Sequence, residues 1–466
     1  MKIKNYLALI TILFTLLFIS CASLSNESAS KNTDKNGKNE LYKEIEDANA
    51  LKGFVPFSGN YTSKSAISCS MEFFYIPLNK IMPAENTYDF SVLESNIENI
   101  KKRGHQTIFR VYLDYPDEPD GTPAFFWDLG IEKIYYKSDN GTCYFPDYTN
   151  QKCMDIICDC IRELGKKYDG DPRIAYIFAG FVGHWGEWHN YMYTQTPGHQ
   201  GEKMPNDTQK AQFVKTFGES FRKTSVVVRT PFSSALKDYP NIGFHDDSFT
   251  QDTIGSESWY FMPQLRKAGM SDRWRTAAIG GEFRPEHQAP FVYGIKMPSG
   301  YQNYERCLKE THCSWLLFDR AFGQGSTTAK ERLQKSSNQT GYDLYCKEMK
   351  VEVAENELLV DISIANVGIA PIYYNWQPLL ALVKEGNIVC SWDSPFENWN
   401  LPSILPESKE AYSVKVALPA GVESGNLSGC KLVLGIPNPM ENGVPVKLSN
   451  TSLNQDYPGF ITIGQF

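Results

Sequence analysis

Two glutamates stand among residue types suited to acid and base chemistry. Glu187 lies in the sequence Gly-His-Trp-Gly-Glu-Trp-His at 183–189, and Glu282 follows the glycines at 280 and 281. A pair of carboxyl groups can protonate a departing oxygen with one member and attack, or activate water, with the other. The indoles of Trp185 and Trp188 offer apolar faces to a sugar ring. This composition predicts a polar, aromatic-walled pocket that handles a sugar.

Charged and aromatic residues that follow or end other apolar runs extend this candidate site. We predict that the following residues bind the substrate: Glu72, Arg110, His184, Trp185, Trp188, His189, His245, Asp246, Asp247, Trp259, Arg284 and Asp319. Parallel strands place their carboxyl ends at one edge of a sheet, so charges that follow several strands are expected to meet there. For Glu72, Arg229 and Asp319 taken singly, a structural ion pair accounts for the charge equally well.

Short apolar runs alternate with amphipathic segments between residues 53 and 322. The runs predict eight strands at 53–57, 69–78, 107–113, 174–182, 225–229, 242–245, 277–283 and 315–319. The amphipathic segments predict helices at 89–103, 150–168, 208–223, 263–268 with its flanks, 300–311 and 329–335. Eight strands alternating with helices predict an α/β fold, a TIM-like (β/α)8 barrel over residues 46–340. Glu187 then ends the fourth strand and Glu282 the seventh.

The pattern changes to period two after residue 341, as in 358–364 and 412–418. Turns rich in proline, glycine and asparagine separate these runs, so residues 341–466 predict a C-terminal antiparallel β-sandwich. We expect this accessory domain to brace the barrel. Trp376, Trp392 and Trp399 keep carbohydrate binding open as an alternative.

The N-terminus has the pattern of an export signal. Lys2 and Lys4 precede the apolar run 6–19, which predicts a signal peptide over residues 1–20. Residues 18–21 resemble a bacterial lipoprotein cleavage box, with Cys21 as the lipidated residue and ordinary cleavage or an uncleaved anchor as alternatives. Ala22 after the cysteine favours, by the same resemblance, the outer membrane. Residues 21–45 are polar and predict a disordered tether, so we expect an exported protein that is lipid-anchored at the cell envelope and faces the periplasm or the exterior.

The overall charge excludes some partners. A formal net charge of -8 and a pI near 5.6 argue against nucleic acid and against an anionic membrane surface, which leaves the lipid anchor as the expected membrane contact.

Besides Cys21 the chain has ten cysteines, for which disulfides and free thiols both remain open. No Cys-x-x-Cys or His-Glu-x-x-His pattern occurs, so we expect no metal and no cofactor. A less favoured alternative is a metal-dependent hydrolase that uses His184, His189, His245 and Asp246.

One passage resembles a known group of enzymes. Residues 78–90, which follow Glu72, are similar to the Glu-Pro-x-x-Gly-x-Tyr-Asp-Phe passage after the second strand of β-galactosidase-like, clan A glycoside hydrolases. Met82 stands here before Pro83, and Asn86 stands in the glycine position. In that clan the acid/base glutamate ends strand four and the nucleophile ends strand seven.

The resemblance implies that Glu187 is the acid/base and Glu282 the nucleophile. On this assignment Trp185 and Trp188 would desolvate Glu187 and raise its pKa. Arg110 and Arg284 would hold Glu282 in its ionised form.

Four motifs, at 183–189, 243–247, 280–282 and 366–374, resemble a bacterial family of secreted proteins and lipoproteins. That family combines a barrel with a β-sandwich, is known only as a domain of unknown function and is regarded as glycosidase-like. The resemblance implies a glycoside hydrolase that acts on a glycan at the cell envelope through a Glu/Glu pair. The main alternative is a non-catalytic carbohydrate-binding surface lipoprotein that keeps the barrel pocket.

Overall fold

The computed structural model describes residues 39–62, 64–323, 327–419, 421–422 and 427–466. The expected signal peptide, Cys21 and the tether up to residue 38 lie outside the described residues. Residues 39–45, which the sequence assigns to the tether, contact the C-terminal domain: Tyr42 bridges to Asn450, and its hydroxyl donates to Asp343 Oδ2 at 2.7 Å. Among the described helices, none is long and apolar enough to cross a membrane.

Ten strands lie in the described residues before position 320. In chain order they are β1 (Gly53–Val55), β2 (Met71–Pro77), β3 (Gln106–Asp114), β4 (Lys133–Lys137), β5 (Thr142–Pro146), β6 (Ile174–His184), β7 (Ser225–Val228), β8 (Ile242–Phe249), β9 (Ile279–Phe283) and β10 (Trp315–Leu317). Eight of them form one parallel sheet in the order β1-β10-β9-β8-β7-β6-β3-β2, while β4 and β5 pair as a hairpin.

The eight-stranded sheet closes on itself between β1 and β2. The Phe73 amide donates to the Pro56 carbonyl at 2.9 Å, and the Ser58 amide donates to the Phe73 carbonyl at 2.9 Å. Within the described residues, closure pairs both edges of the sheet, and α-helices connect most of the parallel strands; β1 and β2 are joined by a loop, and β7 and β8 by a 3-10 turn. The predicted (β/α)8 barrel is therefore confirmed.

Nine α-helices are described. They are α1 (Ser91–Lys101), α2 (Phe125–Asp128), α3 (Gln151–Tyr168), α4 (Tyr191–Gln195), α5 (Asp207–Ser220), α6 (Phe261–Ala268), α7 (Pro285–Tyr293), α8 (Tyr304–Thr311) and α9 (Thr327–Asn338). Short 3-10 turns lie at Leu78–Lys80, Ser234–Lys237, Arg273–Arg275, Asp319–Phe322 and Leu401–Ser403. Side-chain caps start the long helices where the sequence predicts them: Asn150 accepts from the Lys152 amide, and Asn206 forms a capping box with Gln209.

The helices α2, α4 and α7 and the β4–β5 hairpin are absent from the sequence-based prediction. Helix α7 carries Pro290 in its interior and has apolar residues on several sides, so it lacks the regular stripe on which helix prediction depends. The hairpin lies between β3 and α3 and is too short to give a strong period-two signal.

Seven strands are described in the C-terminal domain. They are β11 (Leu344–Ala354), β12 (Glu357–Asn366), β13 (Leu379–Lys384), β14 (Asn387–Asp393), β15 (Lys409–Ala417), β16 (Lys431–Gly435) and β17 (Ile461–Gln465). They form two antiparallel sheets, β11-β12-β15 and β14-β13-β16-β17. The predicted β-sandwich is confirmed.

The sandwich packs against the amino end of the barrel. Barrel residues such as Phe73, Tyr176 and Trp315 belong to the same apolar cluster as the inner faces of both sandwich sheets. The Tyr374 hydroxyl accepts from the Ser225 amide at 2.9 Å at the start of β7. The two domains therefore share a core, and the 366–374 motif contributes to this contact.

Two of the three sandwich tryptophans serve this core. Trp376 and Trp399 are buried, and the Trp399 indole donates to the Trp376 carbonyl at 2.9 Å. The Trp392 indole donates to the Ala417 carbonyl at 3.1 Å. Their surroundings favour packing over the binding of a sugar.

All ten cysteines of the described residues are unpaired, and eight of them are buried. Cys153, Cys158 and Cys160 lie on α3, within the barrel wall. Burial raises the pKa of the Cys160 thiol well above its ordinary value. The described cysteines thus act as small apolar core residues, which answers the question that their spacing left open.

Candidate active site

Three carboxyl groups meet at the carboxyl end of the barrel. Glu187 follows β6, Asp247 lies in β8 and Glu282 lies in β9. One carboxylate oxygen from each lies within 4.8 Å of the other two. The closed sheet therefore brings the two glutamates that the sequence singles out into one cluster and adds Asp247 as a third member.

A tight turn places Glu187. Five residues of this segment have positive φ angles: Phe181, Gly183, Trp185, Gly186 and Trp188. A Cβ atom on Gly183 would lie 2.5 Å from the His189 carbonyl oxygen, so only glycine fits there. The Glu187 amide donates to the His184 carbonyl at 2.9 Å, which fixes the turn. A left-handed backbone conformation costs about 1–3 kcal/mol for each non-glycine residue, and such residues concentrate at functional sites. The three in this turn therefore indicate a functional role for the segment.

Arg110, on β3, binds two of the three carboxylates. Its side chain is 2% exposed, with Nη1 at 3.0 Å from Glu187 Oε1 and Nη2 at 2.9 Å from Asp247 Oδ1. Arg229, which follows β7, adds a second cation: its Nε lies 3.1 Å from Asp247 Oδ2 and its Nη1 lies 3.7 Å from Glu187 Oε2. Two guanidinium groups thus balance two carboxylates.

These contacts keep Glu187 ionised. Burial and the neighbouring Asp247 act to raise the pKa of Glu187. The hydrogen bond to His189, at 3.3 Å, and the charges of Arg229 and Arg110 outweigh them, so the pKa of Glu187 lies below its ordinary value.

Asp247 is ionised for similar reasons. Burial acts to raise its pKa, but the contact with His245 and the charges of Arg110 and Arg229 hold it well below the ordinary value. The His245 Nδ1 atom lies 3.0 Å from Asp247 Oδ1. Burial also lowers the pKa of His245, so its imidazole is neutral at pH 7 and acts as a hydrogen-bond donor.

Glu282 has the opposite protonation state. Within the described part of the chain, no hydrogen bond or ion pair engages its carboxyl group. Burial, followed by the negative charges of Glu187 and Asp247, raises the pKa of Glu282 to about 8. At pH 7 the site therefore holds one protonated glutamate and one ionised glutamate.

The expected protonation states of the two glutamates are thus wrong. Arg110 binds Glu187 and not Glu282, whereas Arg284 donates to Glu286 Oε2 at 2.6 Å. Trp188 does not desolvate Glu187: it stacks on Phe232 with ring centroids 3.7 Å apart, inside the barrel wall. An ion pair that joins residues 77 positions apart has no signature in local sequence.

An aromatic wall adjoins the carboxyl cluster. Tyr75 and Tyr115 have ring centroids 5.4 Å apart, and Tyr115 lies 6.3 Å from the Trp185 ring. All three side chains are partly exposed. The sequence analysis missed both tyrosines, although Tyr75 lies two positions after the inward-facing Phe73 on the same strand face.

Two predicted substrate-binding residues have structural roles. Glu72 lies near the start of β2, at the opposite end of the barrel, where it is fully buried and pairs with Arg103 and His105 at 2.7 Å each. Asp319 accepts from the Phe57 amide at 3.0 Å and fixes the loop after β1. For Glu72 the expected contact with substrate is wrong, because strand polarity carries it away from the cluster.

Three further predicted residues do not contact the carboxyl cluster. His184 is fully buried and binds Asp114 through Nδ1. Asp246 points away from Asp247, as alternation along a strand requires, and accepts from Thr253 Oγ1 at 2.6 Å. Burial raises the pKa of Asp246 to about 6. Trp259 is 62% exposed and packs on Tyr260.

The donor set does not suit a divalent cation. Within the described residues, His184, His189, His245 and Asp246 do not form a group with ligand spacing. The three clustered carboxyl groups have that spacing, but Arg110 and Arg229 already pair with two of them. Guanidinium groups already occupy the electrostatic role that a metal would have.

Comparison with known proteins adds little to this description. No family model and no curated protein matches the chain. Solved structures similar to it include xylanase 10B of Thermotoga maritima, at 10% identity and a TM-score of 0.35, over 62% of this chain and 97% of that one. The catalytic domain of the β-amylase of Paenibacillus polymyxa aligns at 9% identity and a TM-score of 0.40, over 63% of this chain and 99% of that one.

A GH5_18 variant of Bifidobacterium longum, in complex with Manb1-4GlcNAc, aligns at 9% identity and a TM-score of 0.33, over 57% of this chain and 68% of that one. Glycoside hydrolases are thus among the structural neighbours. Because these TM-scores are below 0.5, the barrel assignment depends on strand order and closure.

Proposed function

We propose that this protein is a glycoside hydrolase in which Glu282 is the general acid and Glu187 is the ionised carboxylate. The observation that carries the proposal is the pair itself: two carboxyl groups, within 4.8 Å of each other, with their pKa values displaced in opposite directions. Glycosidic bond cleavage needs one proton donor and one carboxylate. At neutral pH Glu282 is the proton donor and Glu187 is the carboxylate, so both forms are present before substrate binds.

The separation favours a retaining mechanism. Retaining enzymes place the two carboxyl groups about 5–5.5 Å apart, whereas inverting enzymes leave about 6.5–9.5 Å for a water molecule. In the first step Glu187 attacks the anomeric carbon, the glycosidic C–O bond breaks, and the Glu282 proton moves to the departing oxygen. In the second step water gives a proton to Glu282 and attacks the anomeric carbon, and the ester C–O bond breaks, which releases Glu187 as a carboxylate. Tyr75, Tyr115 and Trp185 provide faces on which sugar rings stack.

A non-catalytic carbohydrate-binding protein is the second candidate. The observation that favours it is the double ion pair of Arg110, which leaves the Glu187 side chain only 11% exposed. A carboxylate held so firmly also suits a site that binds sugar hydroxyls without reacting. Turnover on a panel of nitrophenyl glycosides and polysaccharides separates the two functions.

We expect kcat/KM to be constant between about pH 5 and 7 and to fall above pH 8. Glu282 must keep its proton, and its pKa is raised to about 8, so activity is lost as pH rises through that value. Glu187 must be ionised, and its lowered pKa places the acid limb below its ordinary value of 4.5. Initial rates from pH 4 to 10 on an alkyl glycoside test this. A rate that increases above pH 8 would contradict the assignment of Glu282 as acid.

The cellular location is part of the same proposal. The run 6–19 and Cys21 support export and lipid anchoring at the cell envelope, with a carbohydrate there as the substrate. Metabolic labelling with a radioactive fatty acid should mark the wild-type protein and not a Cys21→Ser variant. Equal labelling of both proteins would contradict the lipid anchor.

A further inference from the structure

Within the described residues, the Asp247 carboxylate is buried against arginine and histidine side chains, and its Oδ2 atom is paired by charge but makes no hydrogen bond. Its Oδ1 atom lies 2.9 Å from Arg110 Nη2 and 3.0 Å from His245 Nδ1, and its Oδ2 atom lies 3.1 Å from Arg229 Nε. Its side chain is 4% exposed. The carboxylate therefore acts on other protein groups, in contrast to the substrate-binding role that the sequence suggests.

The two cations that Asp247 holds are the same two that face Glu187. Arg110 spans both carboxylates with its two terminal nitrogens, and Arg229 approaches both from the other side. We propose that Asp247 is a positioning residue that fixes Arg110 and Arg229 on Glu187 and so leaves Glu282 as the acid that keeps its proton. This inference rests on the proposed function, since it assigns the proton to the acid of that reaction.

Charge balance supports this assignment. Glu187 and Asp247 contribute two negative charges, and Arg110 and Arg229 contribute two positive ones. A third negative charge on Glu282 would leave this partly buried cluster with an uncompensated charge, which is costly. The cluster is neutral only while Glu282 is protonated.

The groups around Glu282 come from each neighbouring element. Those that interact with Glu282 are Tyr75 of β2, Arg110 of β3, Tyr115 after β3, Glu187 after β6, Asp247 of β8 and Arg284 after β9. His189, Arg229 and His245 contact Glu187 or Asp247. The pairing neighbour on β10 is Leu317, which is apolar. Asp247 and Glu187 are thus the acids whose charge acts on Glu282, and Glu187 is itself a reacting group.

The test measures the pKa of Glu282 directly. Side-chain carboxyl resonances of ¹³C-glutamate-labelled protein are followed from pH 4 to 10, and the Glu282 signal is assigned with a Glu282→Gln variant. In Asp247→Asn the cluster gains one excess positive charge, so we expect the pKa of Glu282 to fall by about one to three units. The alkaline limb of kcat/KM should move to lower pH by the same amount.

Two further variants control this measurement. Asp246→Asn removes the adjacent carboxylate, which binds Thr253 and faces away, and should leave the pKa of Glu282 unchanged. Arg229→Met removes a cation from a side chain that is 27% exposed, and should shift the pKa of Glu282 upward. This opposite sign keeps the inference testable if Asp247→Asn does not fold.

The outcomes separate the inference from the function on which it rests. An unchanged pKa of Glu282 in folded Asp247→Asn, or an unchanged pKa in Arg229→Met, overturns the positioning role. The expected NMR shifts without any turnover would support the charge coupling and contradict the hydrolase. If Asp247→Asn turns over substrate and its alkaline limb of kcat/KM lies at the same pH as in the wild type, the result would support the hydrolase and contradict the inference.

Discussion

Replacing Glu282 by glutamine should lower kcat on alkyl glycosides by about 10²–10⁴-fold, the usual contribution of a general acid. The same variant should retain most of its first-step rate on dinitrophenyl glycosides, because that leaving group departs without a proton. Single-turnover measurements on the two substrate classes test this expectation. Equal losses on both classes would contradict the acid role of Glu282.

Glu187→Gln is the matched variant. It removes the attacking carboxylate, so both substrate classes should lose activity, by about 10⁴-fold or more. If the protein only binds glycans, the wild type shows no turnover and both variants retain affinity. The pair of variants therefore distinguishes acid, nucleophile and binder in one experiment.

Loss of activity in Glu282→Gln should not come from unfolding. The pKa of Glu282 is raised in the folded protein, so the folded state binds more protons than the unfolded state between about pH 4.5 and 8. Wild-type stability therefore falls as pH rises through this window. Glutamine has no proton to lose, so the variant should be at least as stable as the wild type at pH 7 to 8.

Arg110→Met should reduce the free energy of unfolding by about 3–5 kcal/mol, because it leaves two buried carboxylates with the partly exposed Arg229 as their remaining cation. The methionine fills part of the space, so the loss measures mainly the uncompensated charge. Urea unfolding at pH 7 provides the measurement. Arg306→Met is the control: its pair with Glu310 involves an arginine side chain that is 68% exposed, and its loss should be below about 1 kcal/mol.

Acidification should reduce the difference in the free energy of unfolding between the wild type and Arg110→Met. The pKa values of Glu187 and Asp247 are lowered in the folded wild type, so their stabilising contribution is present at neutral pH and lost as pH falls below the ordinary values. If this difference in unfolding free energy stays constant from pH 7 to 3, Arg110 stabilises the fold through packing rather than through its charge.

The barrel was predictable because its strands are apolar runs of the right length between turn residues. Asn150 and Asn206 also mark helix starts through local hydrogen bonds. Helix α7 has no such periodic pattern, which is why it escaped prediction.

The site was only partly predictable. Glu187 and Glu282 end strands that the sequence reveals, so their approach follows from closure of the sheet. Their protonation states depend on where Arg110 points, and its guanidinium carbon lies 4.2 Å from the ring centroid of Phe178, on a different strand. Long-range charge contacts of this kind leave no periodic trace in a single sequence.

Folding protects most of the unpaired cysteines from reaction, because it buries their sulfur atoms. Eight nucleophilic sulfur atoms are shielded by the same packing that forms the core, and three of them lie close together along α3. In oxidising surroundings, local unfolding that exposes α3 would allow its cysteines to form non-native disulfides. Such disulfides would hold the chain in a misfolded state. In such surroundings the rate of irreversible loss would depend on how often that helix detaches, a kinetic property separate from equilibrium stability.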